Sequence, residues 1–260
     1  MPPVQHLPTA PESGRGVTRG LDAAPGSDGR GVTRFLLVLL AVTLVLTVVS
    51  YLAMSRLDPQ DLEPWAQDLR QYVNVGNELN LPAWWSTVLL SSAAMAHVLT
   101  GALARSTGHK GAGAWFVVAA AVALMSLDEQ TALHERMEAV GRNLVTDVVS
   151  DHPFRWTAPG AVIGIALVVM FLLTARHLPR RAGRTLVAGV VLLLVSAVGL
   201  EVVGGRVLLD QGFEGLYTVL YHVEELGENL GALLLIAAAA RAVDASRTPD
   251  GWLLAYRGVR

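Results

Sequence analysis

Residues 216–240 read LYTVLYHVEELGENLGALLLIAAAA, and whether this run crosses a bilayer decides the fold. From Leu230 onward it is wholly apolar. Its first half carries His222, Glu224, Glu225 and Glu228. The run reaches across ~30 Å of hydrocarbon only if the acid-bearing turns are counted as part of the span. Ionisable groups inside a spanning helix are costly, so by default they mark a functional site.

Working outward, five more apolar runs precede it: 35–54, 84–104, 114–127, 158–175 and 185–203. The third is too short until its polar end, 126–137, is added. That end holds Asp128, Glu129, His134 and Glu135, and Glu201 closes the fifth run. The chain is 52% hydrophobic and only 16% charged, which is too apolar for an ordinary soluble domain of 260 residues. The expected fold is therefore all-α: an integral membrane six-helix bundle with both termini inside. Segment 1–33, rich in Pro, Gly, Ser and Arg, is expected to be a disordered cytoplasmic tail. Segment 34–242 is the transmembrane domain, and 243–260 is a cytoplasmic tail. An uncleaved first span fits better than a secretory signal, because no small-residue cleavage site follows Tyr51.

Charge sets the orientation. Six spans with an inside N-terminus leave only Arg56, Arg70, Arg136, Arg142, Arg155 and Arg206 outside, of 20 Lys and Arg. The positive-inside rule then puts both ends in the cytoplasm. The longest outer loop is 55–83. Leu62, Trp65, Leu69, Tyr72 and Val73 recur at near-helical spacing around Pro64, which predicts a short helix lying on the membrane surface. Trp84, Trp85 and Trp156 fit an outer aromatic belt and Trp115 an inner one. Gly227 and Gly231 form a small-xxx-small pair suited to close helix approach. Gly204 and Gly205 are positioned to end or loosen the fifth helix.

Depth unites the acids. At ~1.5 Å per residue, Asp128 lies roughly 21 Å from its inner helix end, and Glu201 and Glu225 roughly 24 Å from theirs. All fall in the outer third of the apolar layer. Seven residues separate Asp128 from Glu135, so a continuous helix puts both on one face. So many carboxylates cannot all stay ionised without protons or a cation. The chain has no cysteine, which excludes thiolate ligands and nucleophiles. Carboxylates with one or two imidazoles suit a divalent metal such as Fe, Mn or Zn. The expected ligands are Asp128, Glu129, Glu135, Glu201, His222, Glu225 and Glu228, with Glu129, His134 and Glu228 as catalytic proton carriers. Neither a Glu-x-x-His repeat nor a His-Glu-x-x-His motif is present, so clustering and depth carry the reading.

Other polar residues have plainer readings. Glu138 and Glu224 are expected to be solvated acids at helix ends. His97 is expected to be a packing histidine, and His109, His152 and His177 loop residues. Ser91 and Ser92 are read as helix–helix contacts.

The motifs are Asn77-Glu78-Leu79-Asn80-Leu81-Pro82-Ala83-Trp84, Ser126-Leu127-Asp128-Glu129 with His134-Glu135, Gly199-Leu200-Glu201, and Glu224-Glu225-Leu226-Gly227-Glu228. In these the chain resembles a widespread group of uncharacterised bacterial polytopic membrane proteins, with E-x-N-x-P-x-W, D-E-x4-H-E and E-E-x-x-E motifs. The resemblance covers most of the membrane region and implies that Glu78 and Asn80 stand at the outer mouth of the site. It implies no reaction. Three functions stay open: a metal-dependent membrane hydrolase or oxidase acting on a lipid-like substrate, a proton- or cation-coupled transporter, and a non-catalytic scaffold with a structural cation. Membrane lipids are the expected partners, and no nucleic acid is expected.

Overall fold

The computed structural model describes residues 29–144, 154–213, 215–248 and 251–258. Its main helices are α1 (Gly29–Arg56), α2 (Pro64–Tyr72), α3 (Leu81–Ser106), α4 (Ala112–Thr131), α5 (Glu138–Leu144), α6 (Thr157–Ala175), α7 (Arg180–Leu194), α8 (Glu201–Gln211) and α9 (Leu216–Ala240). A π-helical stretch, Val195–Leu200, joins α7 to α8 without a break. Among the described residues, five segments are long and apolar enough to cross a membrane: α1, α3, α4, α6 and the continuous Arg180–Gln211. The run 216–240 forms a single helix as long as its neighbours, but its glutamates keep it outside that apolar group.

The position of α9 explains how a helix can carry those glutamates. It packs against α1, α3, α7 and α8, so it runs through the middle of the bundle. Gly227 and Gly231 allow the close approach their spacing predicts, Gly231 to α7 and Gly227 to the π stretch. A Cβ on Gly231 would lie 2.7 Å from Leu193 Cβ and 2.8 Å from the Gly189 carbonyl oxygen. A Cβ on Gly227 would collide with Ser196 Oγ. Missing side chains thus bring the two backbones together and seat the π stretch against α9. The core continues away from the acids through Leu89, Ala93, Val118, Val122, Leu186, Val190 and Leu235, all essentially inaccessible.

Several expectations shift. Residues 29–33, assigned to the tail, form the first turns of α1, and 1–28 lie outside the described residues. Gly204 and Gly205 neither end nor loosen their helix: α8 runs through both to Gln211, and the departure from α geometry comes earlier, at 195–200. The helix carrying Asp128 stops at Thr131, because Ala132 turns left-handed at φ +48°. Glu135 therefore sits in a separate 3₁₀ turn, not two turns further along the same face.

The short helix after Pro64 is present as α2. It leaves Trp65, Leu69 and Tyr72 exposed, while Arg70 donates to the carbonyls of Ala53 and Met54 at 3.1 and 3.3 Å. A cation therefore satisfies the carbonyls left open at the end of α1. The segment after α9 forms a hairpin, with β1 (Val243–Thr248) antiparallel to β2 (Gly251–Tyr256). The hairpin docks through Tyr256, whose hydroxyl accepts from Trp115 Nε1 at 2.9 Å. Trp115 is fully buried in the core rather than part of an interfacial belt.

Candidate functional site

The site begins with two strained backbones. Leu79, at φ +58°, reverses the chain between Glu78 and Asn80. Asn80 then caps α3: its Oδ1 accepts from the Ala83 amide at 3.1 Å, and its Nδ2 donates to the Asn74 carbonyl at 2.6 Å. Its side chain is consumed in capping and does not reach the site mouth. Glu78 points the other way, into a cavity of about 240 Å³. The second reversal, at Ala132, folds the chain back so that His134 returns to Asp128. One Asp128 oxygen accepts from the His134 amide at 2.8 Å, and the other pairs with His134 Nδ1 at 3.0 Å. Asp128, expected to be a ligand, is instead the residue that holds the imidazole.

The cavity gathers acids from three helices and from the turns around them. Asp128 and Glu129 come from α4, His134 and Glu135 from the turn after it, Glu201 from α8, and Glu224, Glu225 and Glu228 from α9. Glu78, His134 and Glu135 each offer a ligand atom, and these atoms lie within 4.8 Å of one another. With Nδ1 given to Asp128, Nε2 remains for a ligand, which is how carboxylates orient metal-binding histidines. Further in, Glu129, Glu225 and Glu228 stand within electrostatic reach of one another. Ser86 donates to Asn229 Oδ1 at 3.1 Å, and Asn229 Nδ2 donates to the Glu225 carbonyl at 2.9 Å, which ties α3 to α9 at this level.

The turns outside the helices carry distinctive electrostatics. Burial pushes the Glu78 carboxyl up; nearby Glu135 and Asp128 add to this and His134 opposes it. One of its oxygens is buried without a hydrogen-bond partner among the described residues. For His134, burial disfavours the charged ring. The hydrogen bond and charge of Asp128, helped by Glu201 and Glu78, outweigh it and hold the imidazole at about 9.

Two residues change place relative to the site. His222 faces α1, not the cavity. Its Nδ1 donates to the Thr218 carbonyl at 2.7 Å and its Nε2 accepts from Ser50 at 2.9 Å, and Ser50 in turn accepts from the Val75 amide. Both ring nitrogens are engaged, Nδ1 within α9 and Nε2 in tying α9 to α1, so His222 is not free to bind a metal. Glu224, read as a solvated acid, lines the cavity, whereas Glu138 is not among the lining residues. Among the arginines of the outer segments, Arg206 pairs with Asp210 on the exposed surface and is not a counter-charge for the cavity.

Aromatic residues complete the walls. Trp156, assigned to the belt, is buried; its Nε1 donates to Glu201 at 3.0 Å and its ring centroid lies 4.5 Å from that of His134. Tyr217 and Tyr221 separate the cavity from a polar vestibule of about 760 Å³ between α1, α2 and the start of α9. A signal for them was present: Tyr217, Tyr221, Glu224 and Glu228 follow a 4-3-4 spacing, which is one face of a helix. The packing histidine His97 is sealed at 0% exposure and stacks on Trp115 at 5.4 Å, with no hydrogen-bond partner for either ring nitrogen among the described residues. Ser91 bonds Ser126 at 2.8 Å across α3 and α4. His109 packs on Tyr256, His177 is exposed, and His152 lies outside the described residues.

Residues 35–243 match the family described as domain of unknown function DUF8692, and the chain belongs to it. No curated protein and no solved structure matches the chain.

Proposed function

We propose that this is a bacterial cytoplasmic-membrane protein that crosses the bilayer six times, with both termini inside, and acts as a metal-dependent enzyme on a lipid-like substrate. The observation that carries the reading is the trio Glu78, His134 and Glu135, with Asp128 fixing the imidazole beside them. Two carboxylates and one imidazole form a hard, mixed donor set suited to Mn, Fe or Zn. A metal there would supply Lewis acidity to an oxygen atom, in hydrolysis or oxidation. The chain's own residues do the rest. Glu129 and Glu228 sit deeper, where they can carry protons. Glu201 is held in place by Trp156, and the vestibule beside Tyr217 and Tyr221 offers a route for water. A through-path for transport is disfavoured, because the cavity lining reaches no further along α3 than Leu90, and His97 beyond it is sealed against Trp115.

The experiment is elemental analysis of protein purified without chelators, together with Mn²⁺ and Zn²⁺ titrations. A bound metal lost in both Glu78→Ala and His134→Ala supports the centre. No metal in the wild type and no binding in the titrations, or binding unchanged in both variants, removes it. Because a ligating imidazole must be deprotonated, affinity should climb as pH rises toward about 9.

A further inference from the structure

The acid chamber has an apolar half that a metal site alone does not need. Opposite the carboxylates, its wall is built from Ile163 and Leu167 of α6 and Leu193 of α7. Neighbouring residues of the same two helices also line a groove on the outside of the bundle. The groove, of about 340 Å³, runs between α6 and the α7–π segment and is lined entirely by aliphatic residues and glycine. Gly164, Leu194 and Val198 belong to both spaces. The π stretch begins at this shared wall and delivers Glu201 into the chamber just beyond it. Such stretches recur at functional sites. The groove starts near Ala161, about 6 Å from the acid-side end of α6, and reaches Val169, about 18 Å along, at ~1.5 Å per residue. In the proposed orientation that is the hydrocarbon of the outer leaflet down to just past the bilayer midplane.

We propose that this groove is a lateral port: the hydrocarbon chain of an outer-leaflet lipid lies between α6 and α7 and passes Gly164 into the apolar half of the chamber, setting its polar end among the acids. This rests on the reading of the chamber as the reactive site. Continuity fixes the occupant. The groove opens at hydrocarbon depth, where water and ions are scarce, and ends at a polar centre, so the molecule that satisfies both ends is amphipathic. Shape agrees: a Cβ on Gly164 would find only Leu194 Cδ2, at 3.9 Å, and one on Gly199 only Val195 Cγ1, at 3.7 Å. These glycines are not needed for helix contact, and they leave the groove open.

The test uses the full chain in nanodiscs containing a phosphatidylglycerol with a diazirine midway along one acyl chain. After photolysis, labelled peptides are mapped by mass spectrometry. The port predicts adducts on Leu167, Leu193 or Ala197 inside the chamber, and their loss in Gly164→Phe, with metal content unchanged. Adducts restricted to the outward residues Ile165, Val169, Val191 and Val195 would overturn it, as would chamber labelling that persists in folded Gly164→Phe. If that variant does not fold, the wild-type labelling pattern decides alone. Metal content is read from the same samples, so a missing metal with chamber labelling intact removes the metal centre and leaves the port.

Discussion

Leu79 and Ala132 do the same work on either side of the site. Each is a non-glycine residue in the left-handed region, and each reverses the chain next to a ligand candidate. Left-handed backbone costs an L residue about 1–2 kcal/mol. Glycine at such a position removes that cost but loses about 0.5–1 kcal/mol in chain entropy. Leu79 is 75% exposed, so little burial is lost on replacement. Leu79→Gly should therefore stabilise the protein by up to about 1 kcal/mol, read as a higher melting temperature in detergent; a lower one would contradict the left-handed turn. The Asp128–His134 pair makes a pH prediction for the metal-free protein. His134 titrates at about 9 when folded, above its ordinary 6.5. Its stabilisation is thus complete below about 6.5 and disappears as pH climbs through about 9. Thermal melts across that window should fall for the wild type and lose this component in Asp128→Asn, and the imidazole NMR signal of His134 should titrate at lower pH in the variant.

Helix pairing turns on small residues whose spacing is visible in sequence but whose partners are not. Gly231 meets Gly189 and Leu193 at backbone range, whereas a Cβ on Gly164 would meet only Leu194 Cδ2, at an ordinary 3.9 Å. Adding one methyl group should therefore have opposite consequences. Gly231→Ala forces α7 away from α9, at a cost of roughly 1–3 kcal/mol. Gly164→Ala should be neutral or gain up to about 1 kcal/mol from helix propensity. Parallel melts of the two variants test this, and equal destabilisation would mean that α7 and α9 do not meet at Gly231. The acids were legible at this scale because axial rise places them without reference to neighbours. The break at Thr131 was not, because it depends on Ala132 adopting an unusual conformation that no glycine or proline announces.

For the whole molecule, charge asymmetry and hydropathy make the topology testable. The chain lacks cysteine, so single substitutions can be labelled without background. Asp61→Cys and Asp210→Cys, at the acid-bearing end, should react with a membrane-impermeant maleimide on intact cells. Arg105→Cys and Trp252→Cys, at the hairpin end, should react only after permeabilisation. All four native positions are exposed, so access depends on the membrane and not on packing. Asp61 and Trp252 labelled from one side would rule out the six-span threading. The hairpin escaped the sequence reading because its six-residue strands are tied down by Tyr256 on Trp115, a contact 141 residues apart in the chain.

Sequence alone determined which segments are apolar and how far along each one the acids lie, because both are sums over residues of a single helix. It could not determine which way each side chain faces, since rotation about a helix axis is set by packing against segments distant in the chain. The Gly189–Gly231 contact and the reversals at Leu79 and Ala132 settled that. They sent Glu78, Glu224 and Trp156 inward, turned His222 to Ser50, and left Asn80 as a helix cap.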